Sequence, residues 1–293
     1  MTTASRRPYL DIRTPIAFAH RGGSKERPEN TMDAFQAAVD LGYQYLETDA
    51  QLSRDGVLLA FHDEVLDRVT DLSGRVSELT LEEIKRADAG YRFSADTGGH
   101  FPYRGRGVRV PSLEEVLTAW PQVRVNVDAK TDPVVVPLVR LVARLDAWDR
   151  VCVGSFLDRR LLRLRHLSRG RICTSMGRGA VAAARAASLG GWMPALGGDC
   201  LQVPVAQWGV QVVDWRLIRA AHRAGLPVHV WTIDDRSEMG RLLDLDADGI
   251  MTDRPSLLRE VMQRRGVWGG RSEAGGQRDS NPQSADPHSV NPG

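Results

Sequence analysis

The chain has 293 residues, 42% hydrophobic and 26% charged, an ordinary globular composition with length enough for one large core. A formal net charge of +2 excludes the strongly basic footprint of a nucleic-acid-binding protein. No stretch approaches the roughly 20 apolar residues that cross a bilayer, and three cysteines without paired spacing supply neither a disulfide framework nor a zinc site.

Taken from the start, Ser5-Arg6-Arg7-Pro8-Tyr9-Leu10 has the outline of a twin-arginine export signal. Such a signal needs a long apolar stretch next, and here Asp11 and Arg13 precede a run of only four residues, Ile16–Ala19. Residues 1–12 are therefore read as an N-terminal arm and the protein as cytoplasmic. Cys152, Cys173 and Cys200 lie in or beside apolar runs, as core thiols of a reducing compartment do.

From residue 16 to residue 265 short apolar runs alternate with helical patterns. Strands are predicted at Ile16–Ala19, Tyr45–Asp49, Val57–His62, Val123–Asp128, Val151–Ser155, Arg171–Ser175, Cys200–Pro204, Val228–Ile233 and Gly249–Thr252. Helices fall between them. Asn30 is positioned to cap Thr31–Leu41, and further helices are expected over Asp132–Leu145, Asp158–Leu167, Ala180–Leu189, Asp214–Ala224, Asp235–Leu245 and Ser256–Arg265. Asp55-Gly56 between two strand patterns signals a hairpin, so the second strand runs past a rim and returns. Residues 64–111 are polar and Gly-rich, with a short helix at Leu81–Ala87, and read as an insertion over one end, lining a substrate entrance. A helical pattern resumes at Ser112–Ala119. From residue 266 the chain is dense in Gly, Ser, Pro, Asn and Gln and is expected to be disordered.

Counting the hairpin once leaves eight β/α units, which predicts an α/β fold, a (β/α)8 TIM barrel over residues 13–265. The hairpin extension follows strand 2, and the loop-rich insertion precedes strand 3. The alternative, an open doubly wound sheet, places a Gly-rich phosphate turn after its first strand. Here that strand runs into His20-Arg21, ionisable groups of the kind barrels carry at strand ends.

Polar residues collect at those ends. His20 and Arg21 end the first strand; Glu47 and Asp49 share a face of the second; His62 and Asp63 end the returning strand; Asp128 and Lys130 share a face of the next. Trp231 lies on the strand Val228–Ile233 and Asp253 ends the last. Three converging carboxylates, Glu47, Asp49 and Asp128, repel unless a cation joins them, and hard oxygen donors select Mg²⁺ or Ca²⁺. Arg21 offers a donor fork to a phosphate and Lys130 a point charge. Two histidines suit proton transfer to and from a phosphodiester. Each residue alone has a plainer reading. Trp231 serves core packing or a ligand contact, and Asp253 caps the last helix or pairs with an arginine.

The run His20-Arg21-Gly22, Pro28-Glu29-Asn30-Thr31, Glu47-Thr48-Asp49, Asp55-Gly56 and His62-Asp63 resembles the glycerophosphodiester phosphodiesterase family. Trp231-Thr232 and Gly249-Ile250-Met251-Thr252-Asp253-Arg254-Pro255 are similar to its last two strands. The resemblance implies hydrolysis of a small-molecule glycerophosphodiester to glycerol 3-phosphate and an alcohol. It implies His20 as general base, His62 as general acid, Glu47 and Asp49 as metal ligands, and phosphate contacts at Arg21 and Lys130. The family's third metal ligand is usually a glutamate where this chain has Asp128, one methylene shorter. Two other readings stand beside it: a lysophospholipase D or sphingomyelinase D type enzyme, touching lipid peripherally through Tyr91, Phe93, Phe101 and Tyr103, and a non-catalytic ligand-binding barrel. Nothing in the sequence sets the oligomeric state.

Overall fold

The structure is a computed structural model and describes residues 7–11, 15–96 and 99–269. In chain order its elements are β1 (Ile16–His20), α1 (Met32–Asp40), β2 (Tyr45–Leu52), β3 (Leu58–Ala60), α2 (Leu81–Ile84), α3 (Leu113–Ala119), β4 (Arg124–Ala129), α4 (Val135–Arg144), β5 (Val151–Gly154), α5 (Asp158–Leu167), β6 (Cys173–Thr174), α6 (Arg178–Leu189), β7 (Leu201–Pro204), β8 (Ala206–Gln207), β9 (Val210–Gln211), α7 (Trp215–Arg223), β10 (Val228–Trp231), α8 (Arg236–Asp244), β11 (Gly249–Thr252) and α9 (Pro255–Arg264). Parallel strands run in the order β6-β5-β4-β2-β1-β11-β10-β7. A parallel bridge between Ser175 and Cys200 joins β6 to β7, with Asp199 N–H donating to Thr174 O at 2.8 Å and Met176 N–H to Cys200 O at 3.1 Å. The eight strands thus close into the expected (β/α)8 barrel.

The period of two along each strand sorts the side chains. Val125 and Val127 of β4, with Val151 and Val153 of β5, face the helix layer and pack with Leu113, Leu138 and Leu161. The alternate residues face the barrel axis. At the end where the strands begin, Phe18, Tyr45, Cys152, Cys173, Cys200 and Met251 form one buried cluster. The cysteines are free thiols inside it. Nearer the strand ends the inward positions are polar, among them Glu47, Asp49, Asn126, Asp128 and Gln202.

Several expectations are corrected. The described part of the N-terminal arm, residues 7–11, is a plug: Tyr9 and Leu10 are buried in the axial cluster, Tyr9 meets the Tyr45 ring edge-on at 5.3 Å, and its carbonyl accepts from the Tyr45 hydroxyl at 2.6 Å. Thr31, not Asn30, caps α1, its hydroxyl accepting from Ala34 N–H at 3.2 Å. The packed chain continues past 265, since the Trp268 ring meets Tyr43 at 5.1 Å. The rest of the tail expected to be disordered, residues 270–293, lies outside the described residues.

The insertion is no loose loop. Leu66, Val76, Ile84, Ala87, Ala89, Val108 and Val110 bury a core of their own against Leu59 and Phe61. None of its described residues lines the substrate cavity, contrary to expectation. Its aromatics are occupied, with the Arg104 guanidinium over Tyr91 at 4.2 Å and over Phe101 at 3.9 Å, and Phe93 against Tyr103 at 5.4 Å. Cavity walls come instead from the far side of the barrel and include β8 and β9, an antiparallel hairpin that periodicity did not reveal, because two-residue strands are too short to show any.

Candidate active site

Register assembles the site. His20, last residue of β1, pairs with Glu47 of β2, and Asp49 of β2 pairs with Asp128 of β4. The hairpin β2–β3 opposes Ala50 to Ala60, and Phe61 N–H donates to Asp49 O at 3.0 Å. That return brings His62 back to the mouth, as the Asp55-Gly56 turn implied. The eight residues expected to act in the site, namely His20, Arg21, Glu47, Asp49, His62, Asp128, Lys130 and Trp231, line one cavity of about 580 Å³, while Asp63 and Asp253 stand behind it.

The loop after β1 holds its shape through close approach. Arg21, Gly22 and Gly23 have φ of +52°, +80° and +104°. A Cβ on Gly22 would lie 2.7 Å from Ala34 Cβ, and one on Gly23 2.6 Å from Pro255 Cγ, so only glycine fits either place. This turn carries Arg21 back over β2. Its backbone N–H donates to Glu47 Oε2 at 3.1 Å and its guanidinium to Glu29 Oε1 at 3.1 Å. Its Nε lies 3.0 Å from Asp49 Oδ2, an ionic contact without hydrogen-bond geometry. Lys130 Nζ spans Asp49 Oδ1 at 2.7 Å and Asp128 Oδ2 at 2.6 Å.

Each histidine is backed by a carboxylate. His20 Nδ1 is 2.6 Å from Asp253 Oδ1, and its Nε2 is 3.7 Å from Glu47 Oε2. His62 Nδ1 is 2.5 Å from Asp63 Oδ1. Asp253 does not cap the last helix; it orients His20. Its backbone N–H donates to Asp234 Oδ1 at 2.8 Å, while Lys25 Nζ sits 2.8 Å from Asp234 Oδ2. Two further residues belong to the site. Asn30 Nδ2 donates to Asp49 Oδ2 at 2.9 Å while its carbonyl accepts from Thr48 Oγ1 at 2.8 Å. Arg68, in the insertion, reaches Glu29 at 2.6 Å and Asp63 at 2.6 Å, tying the residues behind Arg21 and His62 together. Only the Pro-Glu-Asn-Thr motif hinted at Asn30; nothing local to Arg68 marks it.

The electrostatics is that of a buried acidic cluster partly neutralised by Lys130, Arg21 and His20. Burial pushes Glu47 up to about 7, with repulsion from Asp49 adding to it and His20 opposing it. Burial also penalises the Asp49 carboxylate, but Lys130 and Arg21 outweigh that and push it down to about 2. Asp128 is raised, mainly by burial, although Lys130 pulls the other way. Burial lowers the His20 imidazole, yet Glu47 and Asp253 together carry it above the ordinary value. Buried carboxyl oxygens in this state fit a hard divalent cation in kind. Among the described residues, no three Asp, Glu, His or Cys side chains are arranged to enclose one as they stand. Lys130 lies between Asp49 and Asp128, and Arg21 beside Asp49.

This geometry sits within a recognisable family. The model of the glycerophosphoryl diester phosphodiesterase family matches residues 20–257. A probable glycerophosphodiester phosphodiesterase of Mycobacterium tuberculosis is 40% identical over 261 residues, covering 87% of this chain and 93% of that one. The crystal structure of a glycerophosphodiester phosphodiesterase from Agrobacterium tumefaciens is similar at a TM-score of 0.68 and 26% identity, covering 84% of this chain and 99% of that one. A phosphodiesterase from Oleispira antarctica, solved with the product sn-glycerol-3-phosphate, shares the fold at a TM-score of 0.70 and 23% identity, over 85% of this chain and 97% of that one. The chain belongs to the glycerophosphoryl diester phosphodiesterase family and is a phosphoric diester hydrolase.

Proposed function

We propose that this hydrolase releases glycerol 3-phosphate and an alcohol from glycerophosphodiesters, using a divalent cation, Mg²⁺ or Ca²⁺, and His20 and His62 as its proton-transfer pair. The observation that carries the reading is the pairing of two carboxylate-backed imidazoles with one buried acidic cluster in a single cavity. Glu47 and Asp49 would hold the cation, with Asp128 completing the acidic set. Bound there, it supplies positive charge to the phosphate and to the attacking oxygen.

The remaining work falls to side chains. Asp253 accepts the Nδ1 proton of His20, which leaves Nε2 as the basic nitrogen facing the cavity. His20 takes the proton of the attacking oxygen as its bond to phosphorus forms. His62, held by Asp63, gives a proton to the departing alcohol oxygen. Arg21 and Lys130 place positive charge where the phosphate gains negative charge. The product sn-glycerol-3-phosphate bound to the Oleispira protein supports the product assigned.

The test is direct. Purified protein is incubated with glycerophosphocholine or glycerophosphoethanolamine in Mg²⁺, Ca²⁺ or chelator, and the released alcohol is measured. Turnover is expected with cation and not with chelator. A chelator-insensitive rate refutes the cation, and no release under any condition refutes the substrate.

A further inference from the structure

Beside the acidic cluster the cavity has a polar floor to which the proposed chemistry gives no task. Asn126 of β4 is the register partner of Glu47, and Gly154 of β5 is that of Asp128, so the floor adjoins the carboxylates directly. Gln202 reaches across from β7 and donates from Nε2 to Asn126 Oδ1 at 2.7 Å. Asn126, Gly154, Ser175 and Gln202 all line the cavity.

Gly154 shapes this floor. Its φ lies outside the left-handed region, so the backbone does not call for glycine there. What the missing side chain provides is space. A Cβ on Gly154 would lie 3.1 Å from Gln202 Oε1, 3.6 Å from Ser175 Oγ and 4.0 Å from Asn126 Nδ2. Polar atoms of β7, of β4 and of the turn after β6 thus converge on a notch the size of one methyl group.

Their bonds within the protein do not satisfy them. Among the described residues, Asn126 Nδ2 and Gln202 Oε1 make no further hydrogen bond, and Ser175 Oγ has only Met176 O at 3.5 Å. Asn126 and Ser175 are nonetheless buried. Buried amide and hydroxyl groups are nearly always paired. Turning both amides over keeps their mutual bond and still leaves one N–H donor and one carbonyl acceptor. A hydroxyl answers both, since it donates and accepts; a methyl group answers neither.

We infer that Asn126, Gly154, Ser175 and Gln202 form a hydroxyl-binding notch that seats the terminal hydroxyl of the glycerol moiety and so selects glycerol phosphodiesters over other alkyl phosphodiesters. The inference rests on the reaction proposed above and assigns a seat to one half of its substrate. His62, which serves the departing alcohol, is the more exposed imidazole, 34% against 16% for His20. The glycerol that stays with the phosphate then lies toward His20 and Glu47, next to Asn126.

The experiment compares glycerophosphocholine with 2-hydroxypropylphosphocholine of the same configuration, which lacks only the terminal hydroxyl. In the unmodified enzyme, kcat/KM is expected to be roughly 10- to 100-fold lower for the analogue, because neutral hydrogen bonds are lost and their partners left unpaired. The ratio of the two rates is then read within each variant, which cancels a general loss of activity. Gly154→Ala fills the notch with a methyl group and should bring the ratio to within about threefold of one; Gln202→Met removes the acceptor and should cut it about fivefold or more. Gln202→Met decides alone if Gly154→Ala does not fold. Equal rates in the unmodified enzyme overturn the inference and leave the notch to solvent. A ratio unchanged in either folded variant overturns it too, and a lowered melting temperature alone then marks a structural role. Glycerophosphoglycerol, with a second glycerol as departing alcohol, separates the two halves of the substrate. If the variants lose rate on it and not on glycerophosphocholine, the notch reads the departing alcohol and the inference fails. If neither choline ester is turned over, the proposed reaction falls, and calorimetry with glycerol 3-phosphate and 2-hydroxypropyl phosphate decides the notch. Binding about tenfold tighter for glycerol 3-phosphate, lost in the variants, supports the seat. Equal binding, or a preference the variants keep, refutes it.

Discussion

Replacing Asp253 isolates the role given to His20. The carboxylate meets Nδ1 at 2.6 Å, and both side chains are largely buried, so the bond is short, charge-assisted and shielded from water. Asp253→Ala removes the orienting acceptor. A charge-assisted bond of about 1.5–3 kcal/mol predicts a loss of roughly 10- to 100-fold in kcat/KM. Asp253→Asn should be worse although it is nearer in shape. Its amide can turn N–H toward Nδ1, forcing the proton to Nε2 and removing the basic nitrogen from the cavity. A wrong tautomer of a catalytic imidazole costs on the order of 10⁴-fold. The assay is steady-state release of choline from glycerophosphocholine at saturating cation, with melting temperature measured in parallel. If the Asn variant is as active as the Ala variant, or either stays within threefold of the parent, Asp253 does not set the tautomer of His20.

His62→Ala should lose about 10²- to 10⁴-fold on a choline ester but far less on a nitrophenyl ester, whose leaving group needs little protonation; equal losses would count against the acid role. Lys130→Met strips the ammonium from the buried Asp49 and the half-buried Asp128 and should destabilise by about 3 kcal/mol in chelator, with Mg²⁺ or Ca²⁺ restoring part of it; thermal melts showing the same loss in both conditions would contradict this. Glu47, pushed up to about 7, must shed its proton to bind a cation. Cation affinity measured by calorimetry should therefore fall, approaching tenfold per pH unit, below about pH 7 and level off above it; a flat profile from pH 6 to 8 rules that out. Gly23→Ala combines a φ of +104° with a Cβ 2.6 Å from Pro255 Cγ, so it should cost about 2 kcal/mol or more in urea unfolding. Gly56→Ala, at φ +82° in open space, should cost about 1 kcal/mol; equal costs would show that the contact with Pro255 is relieved freely.

Much of the barrel is legible in the chain because its signals are local. Val-rich runs such as 123–128 and 228–233, punctuated by Gly, Pro and Asp, mark buried parallel strands whatever surrounds them. Glu47 and Asp49, or Asp128 and Lys130, share a face through the pleat alone. Asp55-Gly56 turns the chain back on a backbone preference of two residues. What joins distant segments is not written in any window. Asp253 meets His20 across 233 positions, and Asn30 meets Asp49, only after the sheet closes and sets its register. Tyr9 becomes a plug and Trp268 a packing residue because closure leaves places for them. The cavity wall opposite the acidic cluster is likewise a product of closure: α6 and a hairpin too short to show a period are brought to the mouth by the strands before them. Local pattern determines which way a side chain faces, whereas its partner depends on which strand lies alongside and at what offset, and that is decided only when the whole barrel is assembled.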